Sequence, residues 1–117
     1  MFLWGAPVKV PCVYIAASKR DGVLYIGVTG NISRRMADHD QALIDGFTKR
    51  YGVKLLVYYE FHDSFDTAIL RETRLKKWKR AWKVRLIESM NPEWTNLFDP
   101  MSGEIFPGPA DSKRLRS

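Results

Sequence analysis

One cysteine, Cys12, is all the thiol this chain carries. A lone cysteine excludes an internal disulfide and any zinc site built from a cysteine cluster, and it makes a reducing cytoplasm the expected compartment. Long apolar runs are missing too. No stretch approaches the about 18 apolar residues of a membrane-spanning helix, so no membrane partner is expected. The apolar opening, MFLWGAPVKVP, is too short and too broken by proline for a secretory signal. Internal repeats are absent, and so is any sign of a second domain. What is present is 117 residues, 45% hydrophobic and 13% aromatic, enough for one globular domain with a modest core. The pattern fixes no oligomeric state.

Acid is scarce where base is dense. Residues 71–85 hold eight Lys/Arg and a single acid, Glu72, so this segment carries +7 of a net charge of +6 and the other 102 residues carry −1. Trp78 and Trp82 are interleaved with those cations. Cations suit a phosphate backbone and indole faces suit stacked bases, so the strip points to nucleic acid, with DNA the expected kind. The plainer reading of such a run is a solvated helix face. The concentration of the whole charge excess in one segment argues against it.

CVYIAA (12–17) and VLYIGV (23–28) read as strands rich in Val, Ile and Tyr, joined through SKRDG with its Asp-Gly turn. Closing this hairpin by a two-residue turn or by a Lys19–Gly22 loop pairs residues whose numbers sum to an odd value. Tyr14 and Tyr25 sum to 39, so without a bulge both rings share one face. In the longer-loop register Gly27 lies opposite Tyr14 and leaves room for its ring. A helix follows, with Asn31 as N-cap, running to about Ile44. Ile32, Met36 and Leu43 mark its inward stripe, and Arg35 and His39 share that side. Gly46 and Gly52 bracket FTKRY, read as a loop, and KLLVYYEF (54–61) reads as the third strand. A further helix places Phe65, Ala68, Ile69 and Leu75 on one face, with Glu72 inside the same stripe. It is expected to break near Arg80, before an amphipathic segment with Trp82, Leu86, Ile87 and Met90 that Asn91-Pro92 stops. The predicted architecture is α+β: a small three-stranded antiparallel sheet flanked by helices. Residues 1–11 form an amino-terminal extension, 12–98 the domain, and 99–117 a loosely held Pro/Gly-rich tail, basic at Lys113, Arg114 and Arg116.

A carboxylate turned toward a core must be paired, hydrogen-bonded or bound to a metal, and two helices that put polar groups on their inward stripes break local consistency in a way that marks function. The inward polar groups are Tyr14, Tyr25, Arg35, His39 and Glu72. This set, in this order, resembles the GIY-YIG nuclease superfamily, in particular its small stand-alone bacterial members. Tyr25-Ile26-Gly27 is the second half-motif intact, and Cys12-Val13-Tyr14 is the first in degenerate form, keeping its tyrosine. NISRRMADH matches the next motif and Glu72 the metal-binding glutamate, while FTKRYGVKLLVYYE, KKWKRAWK and NPEW are similar to the small members. Val28 departs from relatives that carry lysine there. Asn96 resembles an asparagine near the end of some members, at a different spacing from the proline.

The resemblance implies a divalent-metal-dependent endonuclease using one Mg²⁺ or Mn²⁺ ion held by Glu72. Mg²⁺ prefers carboxylate oxygens and keeps several waters, so one protein carboxylate suffices. Arg35 can hold a phosphate oxygen bidentately as charge builds up. Tyr25 is the favoured base, with Tyr14 orienting water or phosphate. His39, with an ordinary pKa of about 6.5, is the alternative. Expected nucleic-acid contacts are Gly27, Asn31, Thr48, Lys49, Arg50, Arg74, Lys76, Lys77, Trp78, Lys79, Arg80, Trp82 and Lys83, with Asn96 undecided. A shallow basic surface with exposed tryptophan favours single-stranded or distorted substrates over duplex. The rivals are a nucleic-acid-binding module of the same fold that does not cut, and a protein-interaction adaptor using the Trp-rich helix. As plain structural roles, the tyrosines would be ordinary strand aromatics, His39 a core histidine, and Arg35 with Glu72 an inert ion pair.

Overall fold

A computed structural model describes residues 9–43 and 46–107. Three strands, β1 (Cys12–Ala17), β2 (Leu24–Thr29) and β3 (Leu55–Phe61), form one antiparallel sheet in the order β2-β1-β3. Its helices are α1 (Ile32–Asp40), α2 (Phe47–Tyr51), α3 (Phe65–Lys77) and α4 (Arg80–Met90). The α+β architecture is as the sequence predicts. All six residues of β1 are buried, which explains why CVYIAA is an unbroken uncharged run: a central strand covered on both faces has no polar side. Val13, Ile15 and Ala17 pack with Ala68, Leu75, Ile87 and Trp94 on one face. Cys12, Tyr14 and Ala16 pack with Ile32, Met36 and Leu56 on the other. The helices thus cover the two faces separately, α3 and α4 on one, α1 on the other.

The β1–β2 hairpin closes through the longer loop, with the Gly22 N–H donating to the Lys19 carbonyl and Ser18 N–H to the Val23 carbonyl. Tyr14 pairs with Gly27, in the odd-sum register, and both tyrosines share the α1 face. On the other edge of β1 a bulge between Ile15 and Ala16 shifts the register with β3.

Several elements differ from the sequence reading. Helix α1 stops at Asp40, not near Ile44, because Ala42 turns left-handed (φ 56°) and the Leu43 and Ala42 N–H groups fold back onto the Asp38 and His39 carbonyls. This is a Schellman stop with alanine where glycine is usual. Leu43 is exposed in consequence, and Ile44 lies outside the described residues. FTKRY is helix α2 rather than a loop, entered and left through Gly46 and Gly52 at positive φ. On α3, Ala68 and Leu75 are buried but Phe65 and Ile69 are exposed. The contact face runs through Ala68, Arg71, Glu72 and Leu75, with Arg71 and Glu72 both partly buried. The break between the last helices falls at Trp78 and Lys79, so Arg80 opens α4. Residues 99–107 are not loose: Phe98 bridges Ile105, the Phe106 N–H donates to the Leu97 carbonyl, and the Tyr59 hydroxyl donates to the Phe106 carbonyl. Lys113, Arg114 and Arg116 lie outside the described residues.

Candidate active site

Tyr14 reaches the α1 face of the sheet opposite Gly27, and its ring fills the space a side chain there would take. Its hydroxyl is hydrogen-bonded to His39 Nε2 at 2.9 Å. Tyr25, two positions along β2 on the same face, completes a ring cluster. The Tyr14 and Tyr25 centroids lie 6.2 Å apart, and each lies 5.6 Å from the His39 ring, edge on. The parity argument puts the two tyrosines on one face, and α1 brings His39, 25 residues from Tyr14 in sequence, against them.

Burial sets the charge states. Tyr14 is 1% exposed; burial foremost, then the adjoining Tyr25, push its pKa above the ordinary phenol range, against the lowering pull of Arg35. Cys12 and Glu72 add to the rise, so Arg35 and Glu72 both lie within electrostatic reach of this hydroxyl. His39 is 2% exposed. Burial, then the Arg35 guanidinium, hold its pKa below the usual 6.5, while the Val53 backbone and the Asp38 carboxylate pull the other way. Val53 stands close without hydrogen-bonding geometry, because His39 Nδ1 is buried with no bonded partner. At neutral pH the pair is therefore a neutral phenol against a neutral imidazole, the combination in which one can pass a proton to the other.

Glu72 on α3 has its side chain 20% exposed and Lys76 Nζ 3.3 Å away. No ion pair joins it to Arg35 among the described residues, so the two are not a mutually neutralised couple. A groove of about 270 Å³ opens beside the free edge of β2, lined by Leu24, Tyr25, Ile26, Phe47, Lys76 and Lys83. Four elements meet there: β2, α2, α3 and α4. The cluster thus sits where helices from both faces of the sheet come around its open edge.

Residues 10–85, about two thirds of the chain, match the GIY-YIG catalytic domain. The chain belongs to the GIY-YIG family. That family is one of nucleases, and its members act on nucleic acid. The chain is 37% identical over 76 residues to a UPF0213 protein of Staphylococcus haemolyticus, covering 65% of this chain and 92% of the relative. It is 39% identical over 75 residues to a UPF0213 protein of Natronomonas pharaonis, covering 64% and 87%, and 38% identical over 77 residues to one of Clostridium perfringens, covering 66% and 82%. These names carry no activity. No solved structure gives a significant match.

The GIY-YIG cluster takes in only part of the basic strip. Lys76 and Lys83 line its groove, where the Lys83 ammonium also donates to the Lys76 carbonyl. Arg71 is turned inward: its Nε donates to both Glu60 oxygens at 3.1 and 3.3 Å, and its guanidinium lies 5.3 Å from the Trp78 ring. Arg80 donates to the Gly22 carbonyl and fastens α4 to the hairpin. Arg74, Lys77 and Lys79 are exposed. Trp78 and Trp82 line a second, larger groove of about 440 Å³ with Arg85, Leu86 and Ser89. That groove shares no residue with the phenol cluster. Asn31 caps α1, its side chain accepting from the Arg34 N–H. Thr48 is buried, neither a solvated loop residue nor a surface contact, whereas Lys49 and Arg50 are exposed. Asn96 is structural: its Oδ1 accepts from the Leu56 and Phe98 N–H groups.

Two features escape a sequence reading. Phe47 and Tyr51 extend the ring cluster outward from Tyr25; their i, i+4 spacing is the signal, hidden by reading FTKRY as a loop. The second is the network around Glu60, which accepts from the Tyr58 hydroxyl and Arg71 and contacts His62 Nε2 at 2.6 Å. Burial alone would raise the Glu60 pKa, but these hydrogen bonds and the Arg71 charge outweigh it and hold the carboxyl below its usual range. Tyr58 and Glu60 alternate along one face of β3 and His62 follows at the same spacing just past its end, the period-two signature that was available.

Among the described residues no three or more His, Cys, Asp or Glu side chains are grouped to hold an ion. Glu72 alone, partly buried beside Lys76, is a donor suited to Mg²⁺ or Mn²⁺, which take carboxylate and keep water ligands, and unsuited to zinc, which needs three or four protein ligands. No described helix is long and apolar enough to cross a membrane.

Proposed function

We propose that this GIY-YIG chain is a divalent-metal-dependent endonuclease that hydrolyses phosphodiester bonds of DNA, favouring single-stranded or distorted strands. The observation that carries the reading is the meeting of two phenols and an imidazole at one sheet edge, beside a groove whose wall carries Lys83 and Lys76, the latter paired with the Glu72 carboxylate. Glu72 would hold a Mg²⁺ or Mn²⁺ ion. That ion supplies charge neutralisation at the scissile phosphate. Arg35 offers paired N–H donors to a non-bridging oxygen as negative charge accumulates. Lys76, released from Glu72, and Lys83 hold the flanking backbone. Tyr25 is the phenol that opens onto the groove; as its phenolate, with its own proton already passed to solvent, it takes the proton of the attacking water. Tyr14 and His39 stand behind it and fix its ring.

A second assignment of the base is favoured by the 2.9 Å contact between Tyr14 and His39. In it, water gives its proton to the Tyr14 oxygen as the Tyr14 proton moves to Nε2, so the phenol stays neutral and the positive charge appears on the His39 imidazole. Loss of a general base costs about 10²–10⁴-fold in rate. Tyr25→Phe should lose that much and Tyr14→Phe much less under the first assignment, with the order reversed under the second. The test of the function itself is incubation with labelled single-stranded, duplex and branched DNA and with RNA, with Mg²⁺ or Mn²⁺. Cleavage should vanish in Glu72→Ala and Arg35→Ala while circular dichroism stays native. Cleavage surviving both changes would refute the mechanism.

A further inference from the structure

Phe47 and Tyr51 are each 46% exposed on a five-residue helix, an unusual place for two large aromatic side chains. Their rings lie 4.9 Å apart, and Phe47 lies 6.5 Å from Tyr25 with the planes only 31° apart. The three rings form a ladder that leads from the groove outward along α2. The helix that carries them is held firmly. Thr48 is buried, its carbonyl accepts from the Val53 N–H, and left-handed Gly46 and Gly52 set its entry and exit. Cations accompany the ladder: Arg50 lies 5.6 Å from the Tyr51 ring, Lys49 is exposed on the same helix, and Lys76 and Lys83 line the groove with Phe47.

We propose that Phe47 and Tyr51 form a stacking platform for unpaired nucleobases next to the bond that is cut. This rests on the nuclease reading above and names what makes the substrate single-stranded. One aromatic wall facing one cationic wall is the composition of a groove that binds a single polynucleotide strand: bases lie on the rings and phosphates meet the lysines. A duplex hides its base faces in its own stack and cannot use the rings, so they discriminate by strandedness and not by sequence. An apolar protein partner would leave four cations facing its oily surface, and a second copy of this basic chain would bring like charges together. The charge pattern therefore selects a polyanion as occupant.

The test measures binding of fluorescent single-stranded and duplex oligonucleotides of equal length to the whole protein in chelator, where cleavage does not interfere. Phe47→Ala should weaken single-strand binding by roughly 5- to 100-fold, the range for loss of one base–aromatic stack, and change duplex binding less than about twofold. Phe47→Trp should restore it, and an oligonucleotide carrying an abasic stretch should bind wild type and Phe47→Ala alike. Tyr51→Ala should act in the same direction. Equal losses on both substrates, or no loss on the single strand, would overturn the platform while metal-dependent cleavage by the unaltered chain kept the nuclease reading intact. Failure of the unaltered chain to bind any strand would overturn both.

Discussion

Replacing Gly27 with alanine would place a Cβ 2.7 Å from the Tyr14 hydroxyl oxygen, 2.8 Å from Cζ and 2.9 Å from Cε1. Gly27 has an ordinary φ, so the requirement is for space alone. The Tyr14 ring cannot simply swing away: it is 1% exposed, flanked by Tyr25 and His39, and tethered through its hydroxyl. Overpacking of this kind costs about 1–3 kcal/mol. Against that stands the gain from removing a glycine inside a strand, about 0.5–1 kcal/mol. The clash wins, and the expected net loss is roughly 1–2 kcal/mol, a fall in melting temperature of roughly 3–10 °C for a domain of this size. Urea denaturation should show the midpoint fall with the slope unchanged. The decisive comparison uses Tyr14→Leu, which removes the ring atoms that the new Cβ meets. In that background Gly27→Ala should cost less than about 0.5 kcal/mol, so the double mutant reveals a coupling of about 0.5–2 kcal/mol. Equal costs in both backgrounds would refute the argument that Gly27 exists to seat Tyr14.

Other outcomes follow from the same structure. His39 has a folded pKa below its ordinary 6.5, so the unfolded chain binds more protons between the two values; the stability contributed is full above about pH 6.5 and is lost as pH falls toward the folded value. Melting curves from pH 8 to pH 5 should show this slope in wild type and a shallower one in His39→Gln; identical slopes would refute it. Ala42→Gly should raise stability by about 0.5–1 kcal/mol, because alanine at φ 56° carries strain that glycine lacks. A drop in the urea midpoint would show that the Schellman stop is not strained.

The sheet and half of the site are legible in the sequence because strand geometry is periodic. Parity alone put Tyr14 and Tyr25 on one face, and the loop length put Gly27 opposite Tyr14. Helix faces are harder. The stripe from Phe65 to Leu75 is compatible with several rotations, and only packing against β1 and β2 shows that Arg71, not Ile69, turns inward. Helix α1 ends on an alanine, so the glycine that normally announces a stop is missing. Helix α2 is too short to show a period. Asn96 looks like a site residue by composition, yet its side-chain oxygen is consumed by two backbone N–H groups that only tertiary structure brings near.

β1 is synthesised before its sheet partners and ends up between them. As the chain leaves the ribosome, β2 can cover one side at once, but the other hydrogen-bonding row stays naked until Phe61 has emerged. A lone hairpin is marginal in water, and an uncharged, unpaired strand edge invites pairing with a neighbouring chain. CVYIAA has no gatekeeper charge to discourage it. Fragments ending before Leu55 will therefore aggregate, and slowing translation upstream of β3 will lower soluble yield.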